Sequence, residues 1–538
     1  MLHFPRSKAW WSLLLGILVL YLGLATGRAL GTQPWNDEAW YTSPSLSLIK
    51  NGTTATPLLE PVGHFWKGID QRTYWVVPLM FYEQVPWFEI FGFSLFSARL
   101  HAMAWGLVTL LSWGWIVHKL TGDRIMAFVT MAAFACDYQF VSQTALARMD
   151  SMALGLASLA VLLYLWLREA HFAWAVFAAQ LAVVACGLTH PTAGVPAFVA
   201  LAFLILYLDR PRLGWKSIAL AVVPYLLGVA FWGWYISFAP DLFRAQFFGN
   251  VGDIDRLGGF SHPFQAIVRE FGRYAGMAGF QAGMQHLYRI KLSVILVYFL
   301  SVGCLFARRE TRENRGIRTL LWLWAAYFLT MTFYDNTKEV KYAIHIVALF
   351  DAVVAVWVVS WWRKGGVDRM LSAAASVVFV SVGVGGLLYT SLVQRDYEKV
   401  YLPAALFLKH KAQPADLILA GSELGFALGF DRNIVDDNSF TYVTHKEPVF
   451  IAMSNNYKEF RVVTELRGYP CRGISIVCWP KNMSASIPTT ATIFSKSALH
   501  STLGNGGSVR GCGARLADRT YLSNRAPGKY PRYPVVPN

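Results

Sequence analysis

About eleven long apolar runs limit what this 538-residue chain can become. Each holds roughly 17–23 residues, enough to cross a bilayer as a helix. In hydrocarbon only a helix or a closed barrel satisfies its own backbone polar groups. The runs cover residues 10–30, 100–117, 125–145, 150–167, 172–189, 192–208, 217–238, 290–307, 318–334, 342–362 and 370–392. A soluble chain is about a quarter charged, whereas here 15% of residues are charged and 55% hydrophobic. The expected fold class is therefore a polytopic α-helical membrane protein.

The connectors alternate in character. One set holds Arg6/Lys8, Lys119/Arg124, Arg168, Arg210/Arg212/Lys216, Arg308/Arg309/Arg312/Arg315/Arg318 and Arg363/Lys364/Arg369. Basic connectors stay cytoplasmic. The other set holds residues 31–99, the Arg148–Asp150 turn, His190–Pro191, residues 239–289, Tyr334–Lys341 and everything after 393. It is longer and more acidic, and by elimination it lies outside. The chain is thus expected in the cell inner or plasma membrane, N-terminus in the cytoplasm and C-terminus outside. The net charge of +16 is spent in these short clusters, so no nucleic-acid surface is expected. The first run is too long for a signal peptide and lacks a small-residue cleavage site, which reads as an uncleaved anchor.

Residues 1–392 form the membrane domain, with external segments at 31–99 and 239–289. Leu79–Phe93 is an interfacial helix or the start of the second span. After 392 the texture changes. The helix-prone Tyr397–Lys411 precedes β-prone runs at 416–420, 433–435, 448–453 and 460–464, which predicts a small soluble α/β domain over 393–483. Residues 484–538 lack an apolar pattern and read as disordered. Cys136, Cys186 and Cys304 lie in apolar runs as small hydrophobes. Cys471 and Cys478 are able to pair if they lie outside the cytosol. No zinc-type ligand spacing occurs.

The candidate chemistry gathers on the outer face. Asp37 and Glu38 follow the first run directly, flanked by Trp35, Trp40 and Tyr41. Adjacent carboxylates repel, so one can act as a base while the other anchors or holds a metal; the alternative is a solvated acidic loop. Asp150 fits a helix N-cap and a substrate-facing role alike. Asp137, in mid-run, fits a packed polar residue. Arg99, Lys338 and Lys341 are cations on a face where cations are disfavoured, and each needs either an ion pair or an anion such as a lipid phosphate. His190 reads as structural, and His64 and His262 are lone histidines.

In their order and sidedness these elements resemble a known family. Asn36-Asp37-Glu38-Ala39-Trp40-Tyr41 is similar to the acidic loop motif of GT-C membrane glycosyltransferases, in particular the group of protein O-mannosyltransferases and aminoarabinose lipid A transferases. Phe91–Arg99 resembles that group's entry to its second span, Ala147-Arg148-Met149-Asp150 its short acidic turn, and Lys338–Tyr342 its basic-Tyr start of a late span. The resemblance covers roughly residues 10–480 and implies a GT-C fold. It also implies a polyprenyl-phosphate-linked sugar donor and a lipid, glycan or protein acceptor at the outer membrane surface. On that basis Asp37, Glu38 and Asp150 would be catalytic, with Asp37 the base of an inverting transfer. Tyr41, Arg99, Lys338, Lys341 and Tyr342 would bind substrate. Phe65-Trp66-Lys67-Gly68-Ile69-Asp70 stands where some members carry Lys-Pro-Pro, so no metal or phosphate contact is carried over there. A divalent metal stays open as a cofactor. Two rivals remain at this point: a transporter or flippase of lipid-linked sugars, which would place its charges at mid-bilayer with repeat symmetry, and a non-catalytic membrane scaffold.

The sidedness has a direct readout. An alkaline phosphatase fused at about residue 400 should be active and one near Arg312 inactive; the reverse pattern would overturn the assignment.

Overall fold

The computed structural model describes residues 8–63, 66–253, 258–280, 286–437, 441, 443–453, 475–478 and 492–494. Among them nine helices are long and apolar enough to cross a membrane, and a bent pair makes a tenth. The remaining expected span is the 20-residue helix Arg315–Tyr334, whose first turn holds Arg315 and Arg318. All the apolar runs are therefore helical, and the chain is a polytopic α-helical bundle.

Local sequence sets the ends of these helices. Asp123 accepts from the N–H groups of Ile125 and Met126, at 2.9 and 3.2 Å, and starts Arg124–Cys136. Asn314 accepts from Ile317 N–H at 3.1 Å. Ser94 caps Leu95–Thr121 by accepting from Ser97, which places Arg99 one turn inside the second span. The capping oxygens stand in for backbone partners that the first turn lacks. Leu79–Phe91 is a helix of its own, ended at Gly92 in a positive-φ conformation (+73°). The third run is broken: Arg124–Cys136 and Tyr138–Thr144 meet at 65°. Asp137 sits at the break and caps the second piece through Phe140 N–H at 2.6 Å, while Tyr298 donates to its other oxygen. A mid-run acid thus has two jobs, ending one helix and bonding to another.

The helix Asn36–Asn51 follows the first span after a four-residue connection. The final span continues through π-turns into Leu402–Lys411 and delivers the chain to a small sheet. Its strands are β1 (Ile418–Ala420), β2 (Ile434–Val435), β3 (Phe450–Met453), β4 (Ser475–Cys478) and β5 (Thr492–Phe494), in the order β2-β1-β3-β4-β5. Only β5 runs antiparallel to its neighbour. β5 falls in the stretch expected to be disordered; the rest of 484–538 lies outside the described residues, as do Cys471, His64 and the run 460–464.

The sheet is docked on the membrane domain. Asp436 N–H donates to the Leu58 carbonyl at 2.7 Å, and Glu60 N–H to the Asp436 carbonyl at 3.0 Å. Ala39 and Leu58 of the first external segment share a core with Ile418, Ala420, Phe430 and Ile434.

Helix packing around the break is closest at Gly383. A Cβ on Gly383 would lie 2.1 Å from the Cys136 carbonyl oxygen, whereas one on Gly385 would meet nothing within 4 Å. Gly383→Ala should lower the thermal stability of the detergent-purified protein, by about 1–3 kcal/mol of overpacking. Gly385→Ala should hold or raise it. Equal melting temperatures for the two variants would contradict this packing.

Candidate active site

Two adjacent acids open the helix Asn36–Asn51, and neighbouring residues on a helix point about 100° apart. That rotation separates their fates. Glu38, fully buried, accepts from Arg99 twice, Nε at 2.8 Å and Nη2 at 2.7 Å. It also accepts from the Trp35 and Ala147 N–H groups at 2.9 and 2.8 Å. Arg99 spends its remaining donors on the carbonyls of Ala29, Thr32 (2.8 Å) and Gln33 (3.2 Å). A buried charge pair is tolerable only when every remaining lone pair and proton is matched in this way. Arg99, expected to face a phosphate, therefore has every guanidinium donor engaged within the protein.

Asp37 turns the other way and keeps 13% of its side chain exposed. Its Oδ2 receives the Arg148 Nη1 donor and lies 3.3 Å from Lys341 Nζ. Arg148 donates from Nε to Asp150 Oδ2 at 3.0 Å, and its guanidinium carbon lies over the rings of Tyr41 and Trp35, at 5.2 and 5.7 Å from their centroids. Behind it, His190 and His345 bring Nε2 to 3.7 and 3.5 Å from Asp150 Oδ1. Tyr342 packs edge-on against His190 at 5.1 Å. Asp150 is thus buried in the first turn of Met149–Leu167, next to Arg148, and holds that guanidinium against Asp37. Lys341 also contacts Glu339 at 2.6 Å and is one-fifth exposed.

Of the expected residues, the structure brings Asp37, Asp150, Tyr41, Lys341 and Tyr342 together around Arg148. Lys338 goes elsewhere. Its positive φ of +53° turns the side chain toward Glu270 Oε2, 2.9 Å away. Arg273 and Asp335 complete that second ionic cluster. Burial pulls the Lys338 ammonium below its usual range, with Glu270 opposing the shift. Arg148 was missed as a site residue in its own right. The available signal was an arginine on the acidic outer face immediately before an apolar run, where positive residues are disfavoured.

Among the described residues no group of three or more His, Cys, Asp or Glu side chains could hold a metal ion. Around Asp37 the donor set does not fit one either, because Arg148 and Lys341 already meet its Oδ2.

The helical scaffold that carries this site is similar to that of ArnT from Cupriavidus metallidurans, solved bound to undecaprenyl phosphate. The TM-score is 0.53 at 14% identity, over 86% of this chain and 89% of that one. The apo structure of the same protein gives 0.53 over 88% and 94%. The chain has the GT-C fold. A looser likeness, TM-score 0.48 at 12% identity over 86% and 69%, is to the oligosaccharyltransferase AglB from Archaeoglobus fulgidus with an inhibitory peptide and a dolichol-phosphate. No family model matches the sequence, and no curated protein sequence does.

Within the GT-C scaffold the Glu38–Arg99 pair should behave as a folding element. Glu38→Gln leaves a buried guanidinium without its counter-charge, a loss of about 3–5 kcal/mol. Arg99→Lys should fare little better, since an ammonium cannot supply the two-pronged contact. Both variants should show reduced yield and lowered melting temperature in detergent. Wild-type stability in Glu38→Gln would remove the anchoring role.

Proposed function

We propose that this GT-C protein transfers a sugar from a polyprenyl-phosphate carrier to an acceptor hydroxyl at the outer membrane surface. The observation that carries the reading is the single oxygen of Asp37 shared by Arg148 and Lys341 at the outer end of the first span. ArnT, whose fold this chain shares, is bound to undecaprenyl phosphate in its structure, which supports a lipid-phosphate donor here. The acceptor is a lipid, a glycan or a protein.

The geometry gives each residue a task. Arg148 and Lys341 both meet Asp37 Oδ2, and neighbouring positive charge favours the carboxylate form. Lys341 is the exposed member and the one able to leave Asp37 for the donor phosphate. That exchange releases the carboxylate to take the acceptor hydroxyl's proton as the oxygen attacks the anomeric carbon. The sugar–phosphate bond breaks, and its electron pair stays on the phosphate beside Lys341. A single displacement inverts the anomeric centre. Asp150, His190 and Tyr342 are positioning residues that hold Arg148, and Glu38 and Arg99 hold the helix that presents Asp37. The charges gathered around Asp37 lie at helix starts and not in mid-span, which favours transfer over transport.

Asp37→Asn preserves shape but removes the proton acceptor, so turnover should fall by about 10²–10⁴ while donor binding persists. Lys341→Ala should raise the donor KM more than the acceptor KM. Near-full turnover in Asp37→Asn, assayed with a polyprenyl-phosphate sugar, would refute the base assignment.

A further inference from the structure

An aromatic cluster next to Asp37 is left unused by this chemistry. Spacing of i, i+3 and i+4 puts Asp37, Trp40 and Tyr41 on one helix face. Tyr41 stacks on Trp75 with centroids 5.5 Å apart and planes 22° from parallel. Trp75 meets Trp66 at 5.4 Å and Trp40 at 6.1 Å, both edge-on, and Trp40 lies 5.5 Å from Trp66. Arg148, bonded to Asp37, lies over Tyr41, so the rings continue directly from the acid.

The cluster is braced from two sides. Trp40 donates its indole N–H to Asp436 and Ser422, at 3.0 and 3.2 Å, so the small sheet domain fixes that ring. Gln246 donates to the carbonyls of Lys67 and Arg72, each at 2.9 Å, and accepts from Tyr74 N–H at 2.6 Å. Asn250 donates to the Trp75 carbonyl at 2.9 Å. Gly68 adopts φ +66°, and a Cβ there would lie 2.7 Å from Leu242. The second external segment therefore clamps the loop that carries Trp66 and Trp75. Trp75 is 8% exposed, and its buried indole N–H has no partner among the described residues. Trp40 and Trp66 stay partly open. A rigid, part-open aromatic surface beside a carboxylate suits a ligand with apolar faces.

We propose that Trp40 and Trp66, backed by the buried Trp75, form a stacking platform for a sugar ring. The proposal rests on the transferase reading, and the ring belongs either to the donor's glycosyl group or to a glycan acceptor. The test uses the purified full chain and methyl glycosides of hexoses and pentoses, followed by saturation-transfer NMR. At least one glycoside should bind, with saturation strongest on its ring C–H protons. Trp66→Leu should weaken that binding roughly three- to tenfold, and Trp66→Phe, which keeps a ring face, should restore most of it. Transfer kinetics then identify the source. A raised donor KM with unchanged affinity for sugar-free polyprenyl phosphate assigns the donor ring, and a raised acceptor KM assigns the acceptor ring. Absence of glycoside binding, or equal binding by wild type and a folded Trp66→Leu, overturns the platform. Trp66-dependent glycoside binding in a protein that shows no transfer would keep the platform and refute the Asp37 chemistry alone.

Discussion

The buried pair of Glu38 and Arg99 is the constraint on which the candidate site and its surroundings depend. An unmatched ion at such depth costs several kcal/mol, so every polar atom of both side chains is answered. Answering them draws in the end of the first span at Ala29–Gln33, the start of the Asn36–Asn51 helix, the second span and the turn at Ala147. Three stretches distant in sequence, around residues 29–38, 99 and 147, are thus tied at one point. Asp37, one residue earlier, takes its direction from that knot.

The second ionic arrangement is built on sharing. Arg148 lies between two carboxylates, one sealed at Asp150 and one part-open at Asp37. A planar guanidinium suits that bridging position because its donors are fixed in a fork and its face can lie against aromatic rings. Lys341 has one flexible ammonium and two acidic neighbours, Asp37 and Glu339. The immobile cation and the movable one therefore meet the same oxygen.

Much of the fold was legible because length and apolarity alone license a span, whichever apolar residues supply them. The same tolerance leaves few positions for sequence comparison to grip, which agrees with a shared fold at 14% identity and no match to a family model. The break at Asp137 was hidden inside an unbroken apolar run, because what bends the helix is a capping carboxylate answered by Tyr298 from another span. In the site, Asp37 and Asp150 stood out as acids on the outer face. The division of labour between Asp37 and Glu38 was not readable, since identical chemistry side by side is told apart only by helix phase and by partners 61 residues away or more. Lys338 and Lys341 were read as one group, and a single left-handed residue separates them.

The broken third run also sets a depth. Thirteen residues of Arg124–Cys136 rise about 20 Å, less than the roughly 30 Å of hydrocarbon. The seven residues after the 65° bend run obliquely and add only about 4 Å along the longer arm. The turn that carries Ala147 and Arg148 therefore stops several ångströms short of where a straight helix would have surfaced. Asp37 is tied to that turn through Arg148, so the bend also sets the depth at which the carboxylate is held. Under the transfer proposed above, an acceptor hydroxyl would have to reach that depth, and the length of the acceptor's arm would become a criterion of selection alongside its chemistry.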